Sequence, residues 1–85
     1  MDKLKQLREQ VKSVDSSIVH LLKDRFELTK EIQALKKVQS LQVEDLDFEA
    51  QQNALYKTQA DEARISDMLV VNIFNLIRAE VKKML

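Results

Sequence analysis

Apolar residues fall at Leu4, Leu7, Val11, Val14, Ile18, Leu21, Leu28, Ile32 and Leu35. The steps alternate three and four, with one interruption at position 25, where the rhythm calls for a hydrophobe and the chain has arginine. That repeat is the heptad seam of one long helix, and no Gly or Pro breaks it. At 1.5 Å per residue the stretch would run about 48 Å. A compact 85-residue chain has a radius of gyration near ~12 Å and is only about 30 Å across. A single chain cannot cover such a rod, so the seam predicts a partner, most simply a second copy.

The pattern then divides the rest of the chain. The first helix is expected from Asp2, as its N-cap, to Lys37 or Val38. The heptad is lost over Gln39-Ser40-Leu41-Gln42-Val43, which reads as a connection. Asp45 offers a second N-cap, with Asp47 and Glu49 suited to the positive end of a helix. That second helix is expected from Leu46 to Ala60, with a thin apolar face of Leu46, Ala50, Ala54 and Leu55. Ser66 caps a third helix, whose stripe of Val70, Ile73, Phe74, Ile77, Val81 and Met84 suits packing on the first. The expected fold is all-α, three helices of unequal length in a single domain spanning 1–85.

Composition adds mainly exclusions. Lys+Arg and Asp+Glu balance at 14 each, so overall charge points to neither nucleic acid nor an anionic membrane. There is no cysteine and one histidine, which removes disulfides, thiolate metal sites and histidine-rich metal centres. His20 sits beside the seam without a second ligand at metal spacing, and reads as an ordinary flank residue. Nothing resembles a signal peptide or an 18-residue apolar run, so a soluble cytoplasmic protein is the expectation. At this size oligomerisation is the remaining way to enlarge a core.

Candidate chemistry lies in polar residues placed where they cost most. A guanidinium at seam position 25 requires an anion, from another helix or from a ligand. Lys36 follows eleven residues later, close to three turns, so it shares a face with Arg25 about 16 Å along the axis. Two cations in line can hold a small dianion between them. Arg8 lies about 100° round the helix from Arg25 and would reach the same ligand only from a paired chain. Arg78 and Lys82 stand four apart on one face of the third helix. The acids from Glu44 to Glu49 are ordinary dipole complements at a helix start. The chain has no catalytic Ser/His/Asp or Cys/His arrangement and no Gly-rich phosphate loop.

Taken together, Leu7-Arg8, Val14-Asp15, Leu21-Leu22-Lys23-Asp24-Arg25, Lys36, and Val43-Glu44-Asp45 with Glu49 resemble the all-helical class of chorismate mutases, with Phe74 and Ile77 fitting that family's last helix. The resemblance spans essentially the whole chain. It implies an intertwined homodimer whose long first helices span both halves. It also implies rearrangement of chorismate, a small dicarboxylate, to prephenate in aromatic amino-acid biosynthesis, with no cofactor, covalent nucleophile or general base. Carried over by position, Arg25 would bind one carboxylate and Arg8 of the second copy would bind a carboxylate too. Lys36 would donate to the ether oxygen and a carboxylate. Asp45 and Glu49 would hold the substrate hydroxyl, Glu49 being the more important.

Three positions depart from the family pattern. Phe48 stands where the family has a supporting arginine, and Val81 where it has a small hydroxyl residue. Leu85 stands where it has Gln or Glu, the second donor to the ether oxygen. Against these, Arg78 and Lys82 occupy positions that are usually apolar and pocket-facing, and would return cationic charge from another direction. The resemblance thus implies a chorismate mutase, weakened by its departures. The alternatives are a degenerate relative that binds a small dicarboxylate or a partner protein without turnover, and a plain helical dimerisation module.

Overall fold

A computed structural model describes residues 2–41 and 45–84. Gln42 and Val43 of the expected connection, Glu44, and Leu85 lie outside the described residues. Three helices follow one another: α1, Asp2–Val38; α2, Leu46–Ala63; and α3, Asp67–Lys83. No strand occurs among the described residues. The chain divides into two compact units, residues 1–34 and 35–85.

Helix α1 is 37 residues long, about 55 Å at the standard rise. Its start corrects one expectation: Asp2 is the first helical residue and supplies negative charge to the first turn, rather than capping from outside. Hydroxyl side chains that would otherwise compete with the helix turn back onto it. Ser17 Oγ donates to the Ser13 carbonyl at 3.2 Å, and Thr29 Oγ1 reaches the carbonyls of Arg25 and Phe26 at 3.1 and 3.0 Å. His20 is exposed, with its Nδ1–H donating to the Ser16 carbonyl at 2.7 Å, as an ordinary flank residue would. The nine hydrophobes of the seam remain between 44% and 65% exposed, and α1 has no buried residue. Its half-buried positions form a neighbouring stripe of Leu22, Arg25, Phe26, Thr29, Gln33 and Lys36.

In the second unit α1 ends without glycine. Ser40 takes the left-handed conformation at φ 56°, so that Leu41 N–H bonds the Lys36 carbonyl at 2.8 Å and Ser40 N–H bonds Lys37 at 3.2 Å. This is the Schellman closure, normally built on Gly. Helix α2 opens as expected on Asp45, extended at φ −124°, whose side chain accepts from Phe48 N–H at 3.0 Å. It runs one turn beyond the expected Ala60, because the polar run after that residue contains no breaker. Arg64, left-handed at φ 58°, ends it, with Ile65 N–H on the Ala60 carbonyl at 2.9 Å. Ser66 then caps α3, its hydroxyl accepting from Leu69 N–H at 3.2 Å.

Helices α2 and α3 pack as an antiparallel hairpin. Tyr56 stacks on Phe74 with ring centroids 3.9 Å apart and planes 15° from parallel. Earlier on α2, Gln52 and Asn53 meet Arg78, later on α3, which sets the opposed direction. Tyr56, Ala60 and Val81 are the buried residues of this core. The inner face of α2 is therefore Glu49, Gln52, Asn53, Tyr56 and Ala60, all half-buried or buried. The apolar face expected from Leu46, Ala50, Ala54 and Leu55 is exposed instead. An aromatic stack and a row of amides outcompete scattered aliphatics, because they meet matching groups on α3. The stripe expected on α3 carries much of this packing through Phe74, Ile77 and Val81, with α2 as the partner the structure describes.

Candidate functional site

Arg25 and Lys36 both lie within α1, on its half-buried stripe, three turns apart. By helical angle they stand at the border between that stripe and the exposed seam. The Nη1 atom of Arg25 is buried, so part of its charged head is withdrawn from water. Arg8 is exposed on the turn where the seam begins, between Leu7 and Val11.

The acids of α2 divide in role. Asp45 commits Oδ1 to its capping bond, so its visible work is to start the helix. Glu49 follows one turn later on the inner face. Its half-buried side chain makes no hydrogen bond or ion pair among the described residues. A carboxylate so placed keeps its acceptor capacity for a hydroxyl or cation supplied from outside.

Arg78 is held by three side-chain hydrogen bonds and an aromatic face. Its Nη1 donates to Gln52 Oε1 at 3.4 Å, and its Nη2 donates to Asn53 Oδ1 at 2.6 Å and Asn75 Oδ1 at 2.7 Å. Its Cζ lies 5.9 Å from the centre of the Tyr56 ring. The sequence marked Arg78 as a cation but missed Gln52, Asn53 and Asn75. Spacing gave no signal for them: Gln52 and Asn53 are adjacent on α2 and Asn75 stands alone on α3, so they converge on Arg78 only through the pairing of the two helices. Lys82, exposed one turn further along α3, is placed level with Glu49 by the hairpin register.

The departures acquire locations. Phe48 is 54% exposed, about 100° round α2 from Glu49. Val81 is buried in the hairpin core. Leu85, the third departure, lies outside the described residues. The ion pairs Lys12–Glu9, Lys23–Glu27 and Lys83–Glu80 are exposed contacts within single helices and involve none of the candidate residues. Among the described residues, no group of three His, Cys, Asp or Glu side chains could hold a metal ion. No helix there is long and apolar enough to cross a membrane.

A family model described as chorismate mutase type II matches residues 7–84. The match takes in Arg8, Arg25, Lys36, Asp45, Glu49, Arg78 and Lys82. No curated protein and no solved structure matches the chain.

Proposed function

The chain belongs to the chorismate mutase type II family, and we propose that it catalyses the rearrangement of chorismate to prephenate as a homodimer. The reaction is internal to one molecule: an ether C–O bond breaks as a C–C bond forms, and no group leaves. It therefore needs no nucleophile, only a folded conformer and compensation for charge developing on the ether oxygen. In this reading Arg25 holds one carboxylate, Arg8 of the second copy holds a carboxylate too, and Lys36 donates to the ether oxygen. Glu49 accepts from the substrate hydroxyl, assisted by the free oxygen of Asp45. The second copy covers the exposed seam of α1, and the long first helices intertwine. The expected setting is aromatic amino-acid biosynthesis in the cytoplasm.

The observation that carries the reading is Glu49. A half-buried carboxylate without a partner among the described residues is costly unless a ligand uses it. A second reading, binding of a dicarboxylate without turnover, is favoured by Val81, whose buried hydrocarbon replaces a substrate-contacting hydroxyl. At Leu85, where the resemblance implies the second donor to the ether oxygen, loss of that donor costs about 10²–10³ in rate, which slows an enzyme without erasing its site. Chorismate loss and prephenate appearance, followed with the purified chain, decide between the two. Catalysed conversion above the spontaneous rate supports the enzyme. Saturable chorismate binding without conversion supports the binding module, and absence of both rejects each reading.

A further inference from the structure

The setting of Arg78 is unusual for a residue whose task is to clasp two helices. A clasp gains most when the guanidinium meets a carboxylate, since opposite charges attract and the fork fits two oxygens. Arg78 instead meets three amide oxygens, on Gln52, Asn53 and Asn75, and the face of Tyr56. Every one of these partners is neutral, and no ion pair to Arg78 occurs among the described residues. The amides therefore fix the orientation of the cation and leave its charge uncompensated. Three of its five N–H donors are engaged there, so two remain. Half-burial raises the value of such a charge by reducing the water that screens it. A fixed, uncompensated, partly desolvated cation is an arrangement that binds an anion, because the cost of orienting it is met before the anion arrives.

Its location fits the same purpose. Gln52 and Asn53, which hold Arg78, follow Glu49 by one turn on the inner face of α2. Phe48 is exposed one turn before Gln52, at the edge of that face, and supplies no charge. The resemblance places a supporting cation at position 48 of α2, whereas in this chain the cation held by the turn after Glu49 is Arg78 of α3. Resting on the activity proposed above, we propose that Arg78 is a substrate-binding residue of this chain. It takes a carboxylate of the dicarboxylate in place of the cation that Phe48 lacks.

The test uses the full chain, with chorismate as the probe. Steady-state kinetics and unfolding by urea are measured for the wild type, Arg78→Met, Arg78→Lys, and Arg78→Met combined with Phe48→Arg. Loss of a charge-assisted hydrogen bond predicts that Arg78→Met raises KM roughly 10–100-fold, with a much smaller change in kcat. Arg78→Lys should fall between it and the wild type, because an ammonium keeps the charge but loses the fork. Phe48→Arg should recover part of the KM lost in Arg78→Met. An unchanged KM with a lower unfolding midpoint would make Arg78 a helix clasp and overturn the proposal, while leaving the enzyme reading intact. If Arg78→Met does not fold, Arg78→Lys decides by the same split of KM against midpoint. If neither variant folds, the clasp is the answer. A wild type that neither converts nor binds chorismate removes the proposal together with the activity it rests on.

Discussion

In the hairpin of α2 and α3, Tyr56, Ala60 and Val81 are buried by neighbours from the same chain, and Tyr56 lies face to face with Phe74. In α1 the longest apolar pattern of the sequence buries nothing: Leu4, Leu7, Val11, Val14 and Ile18 are all about half exposed or more. The longest pattern thus belongs to a helix with no buried residue, while α2, the helix with the thinnest apolar pattern, supplies two of the buried residues. A period of 3.5 over nine positions is the pattern that suits packing against another helix, and the proposed dimer would supply that helix. The inner face of α2 keeps the same helical spacing at positions 49, 52, 53, 56 and 60, but fills it with amides and an aromatic, so a search for hydrophobes alone passes over it.

Three substitutions probe that difference, in order of expected effect. Val14→Asp places a carboxylate in the middle of the seam. An unpaired charge in a closed interface costs about 3–5 kcal/mol, once per copy, so the dimer should dissociate at micromolar concentration. Sedimentation equilibrium reads this directly as a fall from twice the chain mass of 9.9 kDa towards that mass. An unchanged dimer would mean that the seam is not the interface. Tyr56→Ala acts inside one chain. Truncating a large buried aromatic costs about 3–5 kcal/mol, and the loss should appear in urea unfolding with the same free-energy cost at every protein concentration. If the cost vanishes, the stack with Phe74 does not hold the hairpin. Arg64→Gly is the smallest change and the only stabilising one. A left-handed non-Gly residue carries about 1–2 kcal/mol of strain, so glycine there should raise stability by roughly 1 kcal/mol after its own entropic cost. A neutral or negative result would mean that Arg64 has contacts worth more than its strain.

These variants also mark where the sequence was legible. The caps at Asp45 and Ser66 were readable because N-capping is a local bargain between one side chain and an N–H three residues on. The end of α1 at Val38 was readable because its heptad stops there. The end of α2 was not: the usual glycine is absent and Arg64 adopts the left-handed conformation in its place, so the helix extends to Ala63. The inner face of α2 was misread for a related reason. Hydrophobic periodicity weighs Leu46 and Leu55 and ignores Gln52 and Asn53, yet the amides are the residues that meet α3 through Arg78. For the candidate site, Arg25 and Lys36 were visible as polar residues in costly positions and Glu49 only through the family resemblance, since its place in the chain reads as a dipole complement; all three are half-buried. Arg78 was visible only as a charge, because the neutral cradle around it depends on the pairing of two helices.

The account rests on a site shared between two copies, and mixing of variants tests it most directly. Arg8→Ala and Arg25→Ala should each lose most chorismate turnover, since each removes a cation assigned to a substrate carboxylate. Unfolded together in equal amounts and refolded, they should form mixed dimers in about half of cases. Each mixed dimer then has one site with Arg25 from one copy and Arg8 from the other, and a second site with neither. The mixture should recover roughly a quarter of the wild-type rate, as expected for a two-fold dimer with sites across its interface. A mixture no faster than its two components, measured beside a wild type that does convert chorismate, would show that Arg8 and Arg25 do not serve one substrate from two chains.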